Sequence, residues 1–397
     1  MQIITNTEEL ESLCAELTKE DFLTIDLEFL REKTYYAKLC LIQVANSQVS
    51  AIIDPLSPDL SLSCFFELLK NQHLTKVFHS GRQDIEILYH LSGFIPTPLF
   101  DTQIAAMVCG FGEAVSYETL VNKICGISLD KSSRLSDWSS RPLSTIQLEY
   151  ALSDATDLVT VYKYFRQTLQ QNGRLHWMDE ETAILASPQT YINDPDNMWL
   201  KIRHRSHNAH YLTVLKELCA WRERRAQKKN TPRQSLIKDE CLLNIAAVCP
   251  TCLEDFDKIR NIRQDIVKGK LAQEIIDVIT ACQQLTPEQY VKVPKENTGN
   301  NTCTPLFELL KLLLKITSQQ SGVVAKLIAS DDDLKKFSTY HDKENPILKG
   351  WRKELFGNQA IALREGRLCI KYDNQHHHID IHIESSNNVD ELLSAHS

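Results

Sequence analysis

This chain of 397 residues has little glycine and no glycine-rich phosphate-binding motif. Twelve residues are glycine, and the sequence contains neither a P-loop nor a dinucleotide-binding fingerprint. No apolar run reaches the roughly 20 residues that a membrane-spanning helix needs. The N-terminal sequence MQIITNTEEL has no basic segment followed by an apolar core, so it lacks the form of a secretory signal. We therefore expect a cytoplasmic protein that does not enter membranes.

Excess positive charge is also absent, since the formal net charge is −8. Binding to nucleic acid would therefore depend on a local basic patch. The 12 cysteines are scattered without framework spacing, which favours reduced packing residues over disulfides. Cys249 and Cys252 have a zinc-like spacing, but no second pair matches them, so a zinc site is not predicted. The four histidines near the C-terminus (His376, His377, His378 and His382) are interpreted as part of a polar tail.

The length and the pattern of the chain indicate several domains. Residues 1–173 alternate between strand and helix patterns, with three consecutive strand patterns at 22–30, 37–46 and 49–56 that predict antiparallel neighbours. Ser144 and Gln147 form a capping-box pattern at the start of a long helix. We predict an α/β domain at 1–173, a linker at 174–207, helical units at 208–287 and 288–370, and a tail at 371–397.

Two acidic residues interrupt the first of these strand patterns, FLTIDLEFL. Asp26 and Glu28 are two residues apart, so on a strand they share one face. The apolar flanks argue against a solvated edge strand, and a buried charge is costly without a partner. A divalent cation would provide that partner.

Three more residues extend this pattern. Asp84 lies in the first turn of a predicted helix, directly after a strand pattern, where the sites of α/β folds collect. Tyr150 and Asp154 are four residues apart on the predicted long helix, so they face the same side. Taken singly, Asp84 could be an ordinary N-terminal helix acid, and Tyr150 and Asp154 an ordinary surface pair. As a set of oxygen ligands, the four acids suit Mg²⁺ or Mn²⁺ rather than zinc.

The order of these motifs resembles the DEDD exonuclease superfamily. The D-x-E strand, the aspartate after HSGRQ and the Y-x-x-x-D helix are similar to the tyrosine subgroup typified by ribonuclease D. FDTQIAA, GISLDKS, SDW and RPL resemble the same family, as does GWRKELFG at 350–357. AWRERRAQ in the next unit resembles an HRDC domain.

The resemblance implies a ribonuclease-H-like mixed sheet flanked by helices, followed by one or two HRDC-like helical bundles. It implies a 3′→5′ exoribonuclease that trims structured RNA such as tRNA precursors and releases nucleoside 5′-monophosphates. Asp26, Glu28, Asp84 and Asp154 would hold two divalent ions, Mg²⁺ or Mn²⁺, about 4 Å apart. Tyr150 would orient the attacking water, because a phenol with a pKa of about 10 is a poor base. A monomer is expected.

Several other residues have two open interpretations. His79 could touch substrate or be a structural histidine, and Asp101 could cap a helix or support the site. Basic and aromatic residues before the long helix could contact RNA or form an ordinary surface loop, namely Lys131, Arg134, Trp138 and Arg141. The basic run from Lys201 to Lys229 could track phosphates or be a solvated helix face; Arg222, Arg224 and Arg225 are its central candidates.

Two alternatives to the exoribonuclease remain at this stage. A DNA 3′→5′ exonuclease would use the same fold and the same acids. Recognition of the 2′-hydroxyl would separate the two, and the residues that perform it cannot be named from the sequence. A non-catalytic RNA-binding scaffold would be indicated by loss of one of the acids, and all of them are present.

Overall fold

The first part of the chain forms a mixed six-stranded sheet. The computed structural model describes residues 1–128, 136–204, 206, 208–260, 262–267, 269–292, 304–339, 342–375 and 377–383. The strands are β1 (Ile3–Ile4), β2 (Phe22–Leu30), β3 (Lys38–Ala45), β4 (Ser50–Ile53), β5 (Thr75–Phe78) and β6 (Leu99–Asp101). Their order is β1-β4-β3-β2-β5-β6. β2, β3 and β4 are antiparallel neighbours, whereas β5 and β6 continue the sheet in parallel. The predicted mixed α/β sheet is confirmed.

Helices cover both faces of this sheet. They are α1 (Thr7–Leu17), α2 (Ser63–Lys70), α3 (Arg82–Ser92), α4 (Thr102–Val108), α5 (Tyr117–Cys125), α6 (Thr145–Gln171) and α7 (Trp177–Thr182). The predicted capping box of α6 is present, with Ser144 and Gln147 satisfying each other's backbone N–H groups. Gly93 and Gly126 end α3 and α5 in the left-handed conformation that glycine adopts without strain.

The alternation along β2 divides its side chains between two environments. Leu23, Ile25 and Leu27 belong to an apolar cluster that α1, α2 and α3 complete. Thr24, Asp26 and Glu28 point to the opposite face, where α6 packs against β2 and β3. The acids therefore lie between a central strand and the longest helix of the domain.

The segment after α7 is packed against its surroundings. Tyr191 is 7% exposed and joins the apolar cluster under α3. Met198 and Trp199, in a 3₁₀ helix at Pro195–Lys201, join the core of the following helical unit. The region interpreted as a linker thus contributes side chains to the cores on both sides of it.

A second helical unit follows, with helices α8 (Ala209–Lys229), α9 (Arg233–Leu236), α10 (Asp239–Val248), α11 (Gln264–Val267) and α12 (Lys270–Gln283). It has its own apolar core. Within this predicted helical unit, the stretch 251–263 forms only a 3₁₀ helix at Leu253–Lys258. Among its described residues, Phe256 and Ile259 are the buried apolar ones, which is fewer than the apolar stripe of a full amphipathic helix needs. Within the described ranges, no helix has both the length and the apolar character needed to span a bilayer.

The C-terminal helices pack against the α/β domain. They are α13 (Pro305–Ser321), α14 (Ala325–Ile328), α15 (Asp331–Thr339), α16 (Gly350–Arg352) and α17 (Asn358–Arg364), with a π-helical turn at Lys353–Gly357. Their apolar residues share one cluster with α4, α5 and α6. Trp351 stacks on Trp177 with ring centroids 4.4 Å apart, and Arg352 forms two hydrogen bonds, of 2.6 and 2.8 Å, to the buried Glu181 carboxylate.

A two-stranded hairpin ends the described chain. Strands β7 (Leu368–Asp373) and β8 (His378–Ile383) pair in antiparallel register. Leu368 is buried in the cluster shared with the α/β domain, which anchors the hairpin at one end. The hairpin therefore occupies part of the stretch interpreted as a tail.

Candidate active site

Three of the predicted acids meet between β2 and α6. One carboxylate oxygen from each of Asp26, Glu28 and Asp154 lies within 4.8 Å of the others. Asp26 and Glu28 come from the same face of β2, and Asp154 from the side of α6 that covers this face. A register shift in the pairing of β2 with β3 follows Glu28 directly, so the strand becomes irregular where the acids end. The sequence spacing and the helix position together produce the cluster.

The environment of these carboxyls opposes ionisation. Burial raises the pKa of Asp26 to about 7. Burial and then the charges of Asp26, Asp154 and Asp84 raise the pKa of Glu28 to about 9. Burial and the charge of Asp26 raise the pKa of Asp154 to about 8, although a hydrogen bond with Tyr150 lowers it. The site concentrates acidic groups in a place where their charge is costly.

The turn before α3 places the fourth acid near the cluster, within reach of its charges, but outside the three whose carboxylate oxygens lie within 4.8 Å of one another. Asp84 is buried, and burial together with the charge of Asp26 raises its pKa well above the usual range. Asp101 caps α4 by accepting from the Gln103 N–H, as predicted, and it also accepts from the N–H groups of Ser80 and Gly81 at 3.0 and 2.9 Å. Asp101 therefore fixes the turn that begins α3.

Gly81 is required in that turn for reasons of space. A Cβ atom there would lie 2.4 Å from the Cβ of Phe78, far inside contact distance. Any other residue would push the turn away from β5 and move the start of α3, which carries Asp84 three residues later.

Tyr150 lies one helical turn before Asp154, and the two side chains are hydrogen-bonded. The buried ring of Trp138 stacks on Tyr150, with centroids 6.3 Å apart and planes 25° from parallel. Arg141 holds the Trp138 loop in place, because its guanidinium pairs with Asp54 at 2.7 Å and donates to the Trp138 and Cys40 carbonyls. Trp138 thus packs directly on the Tyr150 ring, and Arg141 fixes the loop that carries Trp138.

Three further residues bind the elements of the site together. The Thr24 hydroxyl lies 2.9 Å from the carbonyl oxygens of Ala45 and Ala155. The Tyr117 hydroxyl donates to the Asp154 carbonyl at 2.6 Å. His79 Nδ1 lies 3.0 Å from the Thr102 hydroxyl. This contact favours the interpretation of His79 as a structural histidine. Neither Thr24 nor Tyr117 was predicted from the sequence. The period-two spacing of Thr24 from Asp26 was the only available signal, and nothing in the sequence marks Tyr117.

The acid cluster fits a divalent cation. Its donors are carboxylate oxygens, which are the ligands that Mg²⁺ and Mn²⁺ prefer. The charges that act on Glu28 all come from other carboxylates, so the group needs a positive partner. We find no other group of three or more acids, histidines or cysteines in the described part of the chain whose ligand atoms lie close enough together to hold an ion.

The other predicted RNA-contacting residues are spread over the molecule. Lys131 and Arg134 lie outside the described residues. Arg222 is buried in α8, where it donates to the Ile237 carbonyl and pairs with Asp239. Arg224 and Arg225 form ion pairs with Asp196 and Glu274 respectively. Phosphate binding by the buried Arg222 would require its present pair to open, whereas the Arg224 side chain is 55% exposed and a guanidinium has further N–H groups to donate.

A buried polar network joins the α/β domain to the second helical unit. The Tyr35 hydroxyl donates to the Glu223 carboxylate, which also pairs with Arg233 at 2.8 Å. The Tyr36 N–H donates to the Asn230 side-chain oxygen at 2.9 Å. These hydrogen bonds involve α8, which contains most of the basic residues between Lys201 and Lys229. They hold those basic residues in a defined position beside the loop that follows β2.

Comparisons with known proteins assign the chain that carries this mixed sheet and acid cluster to the 3′-5′ exonucleases. The 3′-5′ exonuclease family matches residues 1–170, and the HRDC domain family matches residues 212–279. Ribonuclease D from Bartonella henselae is 43% identical over 375 residues, which cover 94% of this chain and 92% of that protein. Ribonuclease D from Granulibacter bethesdensis is 43% identical over 374 residues, which cover 94% of this chain and 95% of that protein.

A solved structure extends this agreement to most of the chain. The crystal structure of Escherichia coli RNase D, described as an exoribonuclease involved in structured RNA processing, matches with a TM-score of 0.81 and 26% identity. The match covers 92% of this chain and 98% of that one. The chain belongs to the ribonuclease D family, which confirms the expected class of enzyme, a 3′→5′ exoribonuclease.

Proposed function

We propose that this chain removes nucleotides from RNA 3′ ends at a metal-dependent site formed by Asp26, Glu28, Asp84 and Asp154. The observation that carries the proposal is the convergence of three half-buried carboxylates within 4.8 Å of one another. Two Mg²⁺ or Mn²⁺ ions bound there would activate a water and stabilise the charge of the phosphodiester during in-line displacement. The products would be nucleoside 5′-monophosphates.

The protein residues divide the remaining tasks among themselves. Tyr150, hydrogen-bonded to Asp154, presents its hydroxyl at the site and would orient the attacking water. Trp138 and Arg141 hold the Tyr150 ring by packing and by ion pairing. Thr24 and Tyr117 fix α6 against the sheet. Such preorganisation matters because a small displacement of reacting groups costs a large factor in rate.

The proposed substrate is structured RNA, including tRNA precursors. The involvement of the Escherichia coli relative in structured RNA processing supports this choice. The HRDC domain would contribute binding to the phosphate backbone through exposed basic residues at the end of α8, Lys228 and Lys229. A double exchange of these lysines for glutamine should make RNA affinity less dependent on salt concentration, by about 0.7 in logarithmic slope for each lost contact. An unchanged slope would remove Lys228 and Lys229 from this role.

Lys131, Arg134, Trp138, Arg141, Arg222, Arg224 and Arg225 are retained as further candidates for RNA contact. The proposed working state is a cytoplasmic monomer. Sedimentation of the protein with and without RNA tests the monomer, and a stable dimer would contradict it.

The decisive assay uses 5′-labelled RNA and a DNA of the same sequence, with Mg²⁺, Mn²⁺ or EDTA. We expect a ladder that shortens from the 3′ end of the RNA, requires metal and vanishes in Asp26→Ala. Glu149→Gln, an exposed acid beside Tyr150 on the same helix, is the matched control and should keep full activity. Undiminished cleavage in EDTA would reject the metal mechanism. A preference for DNA would favour the DNA exonuclease, and binding without cleavage would favour the RNA-binding scaffold.

A further inference from the structure

Gln43 is a buried polar residue directly across the sheet from Asp26. It lies in β3, where Gln43 pairs with Asp26 of β2 on one side and with Ile52 of β4 on the other. Directly opposed residues of antiparallel strands point to the same face, with Cβ atoms about 4.5–5.5 Å apart. The Gln43 side chain therefore lies on the face that carries the acid cluster.

The amide of Gln43 is completely enclosed, with no exposed surface. Among the residues that the structure describes, neither Nε2 nor Oε1 has a hydrogen-bond partner. Native proteins rarely bury an amide in this way, because the lost hydrogen bonds to water are not replaced. An apolar residue of the same size would be less costly at this position unless the amide has a task.

The surroundings of Gln43 leave few candidates for that task. Within the sheet, its neighbours on the same face are Leu41 and Ala45 along β3 and Ile52 on β4, all of them apolar, and α6 covers this face. Across β2 the opposing residue is Asp26, whose carboxylate is a strong hydrogen-bond acceptor when ionised. From Cβ positions about 5 Å apart, a glutamine amide can reach an aspartate carboxylate across a strand pair.

We propose that Gln43 is a positioning residue for Asp26. In the structure the Nε2 group makes no hydrogen bond to any described residue; with a divalent cation bound at Asp26, it would donate to a carboxylate oxygen of Asp26 and so fix the orientation in which Asp26 holds that cation. Polar groups behind metal-binding side chains commonly have this role, and their loss weakens metal binding about 10–100-fold. The inference rests on the proposed function, because it assigns Asp26 to a metal.

The test measures Mn²⁺ binding directly, by electron paramagnetic resonance of free Mn²⁺, on the full-length protein and on Gln43→Met. Methionine keeps the length and volume of the side chain and removes both polar atoms. We expect Mn²⁺ affinity to fall by about tenfold or more, while the melting temperature in EDTA is unchanged or higher. A role in folding alone would lower the melting temperature in EDTA and leave Mn²⁺ affinity unchanged, which would overturn the proposal.

Thr317→Val is the matched control. Thr317 lies in α13, is also buried, and its hydroxyl has no partner among the described residues. The Thr317→Val variant should keep the Mn²⁺ affinity of the unmodified protein, since Gln43, and not Thr317, lies opposite Asp26 in the sheet. An equal loss of affinity in both variants would overturn the proposal. If Gln43→Met does not fold, Gln43→Asn retracts the amide by one methylene; weaker Mn²⁺ binding supports the proposal and unchanged binding overturns it.

Asp26→Ala separates this inference from the proposed function. If the unmodified protein binds Mn²⁺ no better than Asp26→Ala does, the metal site itself is wrong. If Asp26→Ala abolishes binding and Gln43→Met does not weaken it, the metal site stands and only the role of Gln43 is rejected.

Discussion

The Thr24 hydroxyl lies 2.9 Å from the carbonyl oxygen of Ala155, and this contact joins β2 to α6. Thr24 is two residues from Asp26, and Ala155 follows Asp154 directly. The fully buried Thr24 hydroxyl therefore connects β2 and α6, the two elements that carry the acid cluster. The connection lies close in sequence to Asp26 and Asp154, whose relative position determines whether the site can hold a cation.

Replacing Thr24 by valine tests this connection. Valine keeps the shape of the side chain, and the lost buried hydrogen bond should cost about 1 kcal/mol of unfolding free energy. We expect kcat to fall by about tenfold while KM for RNA stays constant, because the acids shift relative to each other. Thr156→Val is the control, since the Thr156 hydroxyl bonds only within α6, to Ser153. Wild-type kcat in Thr24→Val would show that packing alone holds α6.

Tyr150→Phe separates the orientation of water from the binding of metal. Phenylalanine retains the stacking with Trp138 and loses the hydroxyl that bonds Asp154. We expect kcat at saturating Mn²⁺ to fall by about 100-fold, while the lost hydrogen bond to Asp154 lowers Mn²⁺ affinity, measured by calorimetry, by no more than about tenfold. Tyr164→Phe, an exposed tyrosine on the same helix, should have no effect. A large loss of Mn²⁺ affinity in Tyr150→Phe would mean that Tyr150 acts through the metal ligands instead.

The raised pKa values of the acids predict how the metal-free protein responds to pH. The pKa of Asp26 is about 7, that of Asp154 about 8 and that of Glu28 about 9, whereas unfolded carboxyls titrate near 4. A carboxyl with a raised folded pKa stabilises the fold below its unfolded pKa, and that stabilisation is lost as the pH rises through the folded value. In EDTA, the melting temperature should therefore fall between about pH 4 and 9.

Thermal denaturation of Asp26→Asn provides the comparison. The asparagine carries no charge, so the fall with pH should be smaller in this variant than in the unmodified protein. Saturating Mg²⁺ should also reduce the fall, and its affinity should be higher at pH 8 than at pH 6 because the ligands must lose protons to bind it. An identical pH profile for the two proteins in EDTA would contradict the buried, cation-free environment assigned to Asp26.

The C-terminal segment is predicted to stabilise the nuclease domain. Arg352 forms a bidentate pair with Glu181, whose carboxylate also accepts from the Trp351 indole N–H. Arg352→Ala would leave Glu181 buried without its cation, which typically costs about 3 kcal/mol. Urea denaturation should show this loss, with normal kcat well below the melting temperature. Lys19→Ala, which removes an exposed pair with Glu16, should change nothing measurable; an equally small effect of Arg352→Ala would contradict the prediction.

Much of the fold could be predicted from local patterns. The alternation in FLTIDLEFL and the capping box at Ser144 are local signals, and both gave the correct element. The stacking of Trp177 on Trp351 could not be predicted, because it joins residues far apart in the chain that no periodic pattern connects. The C-terminal helices could therefore be recognised as helices, while their packing on the nuclease domain could not.

The acids of the site could be predicted from the sequence, whereas several of the polar residues around them could not. Carboxylates in buried strand and helix positions stand out in a sequence, since their burial requires an explanation. Hydroxyl and amide groups do not stand out, because their importance depends on what they face. Thr24, Tyr117 and Gln43 could be recognised only when Ala155, Asp154 and Asp26 were seen opposite them.

The most direct test of the metal-dependent mechanism is an anomalous difference map from crystals grown with Mn²⁺ and a short RNA. The account predicts two Mn²⁺ peaks about 4 Å apart, contacted by the carboxylates of Asp26, Glu28, Asp84 and Asp154, with the 3′-terminal phosphodiester beside them. Crystals with RNA bound elsewhere, or with Mn²⁺ absent from these four carboxylates, would contradict it.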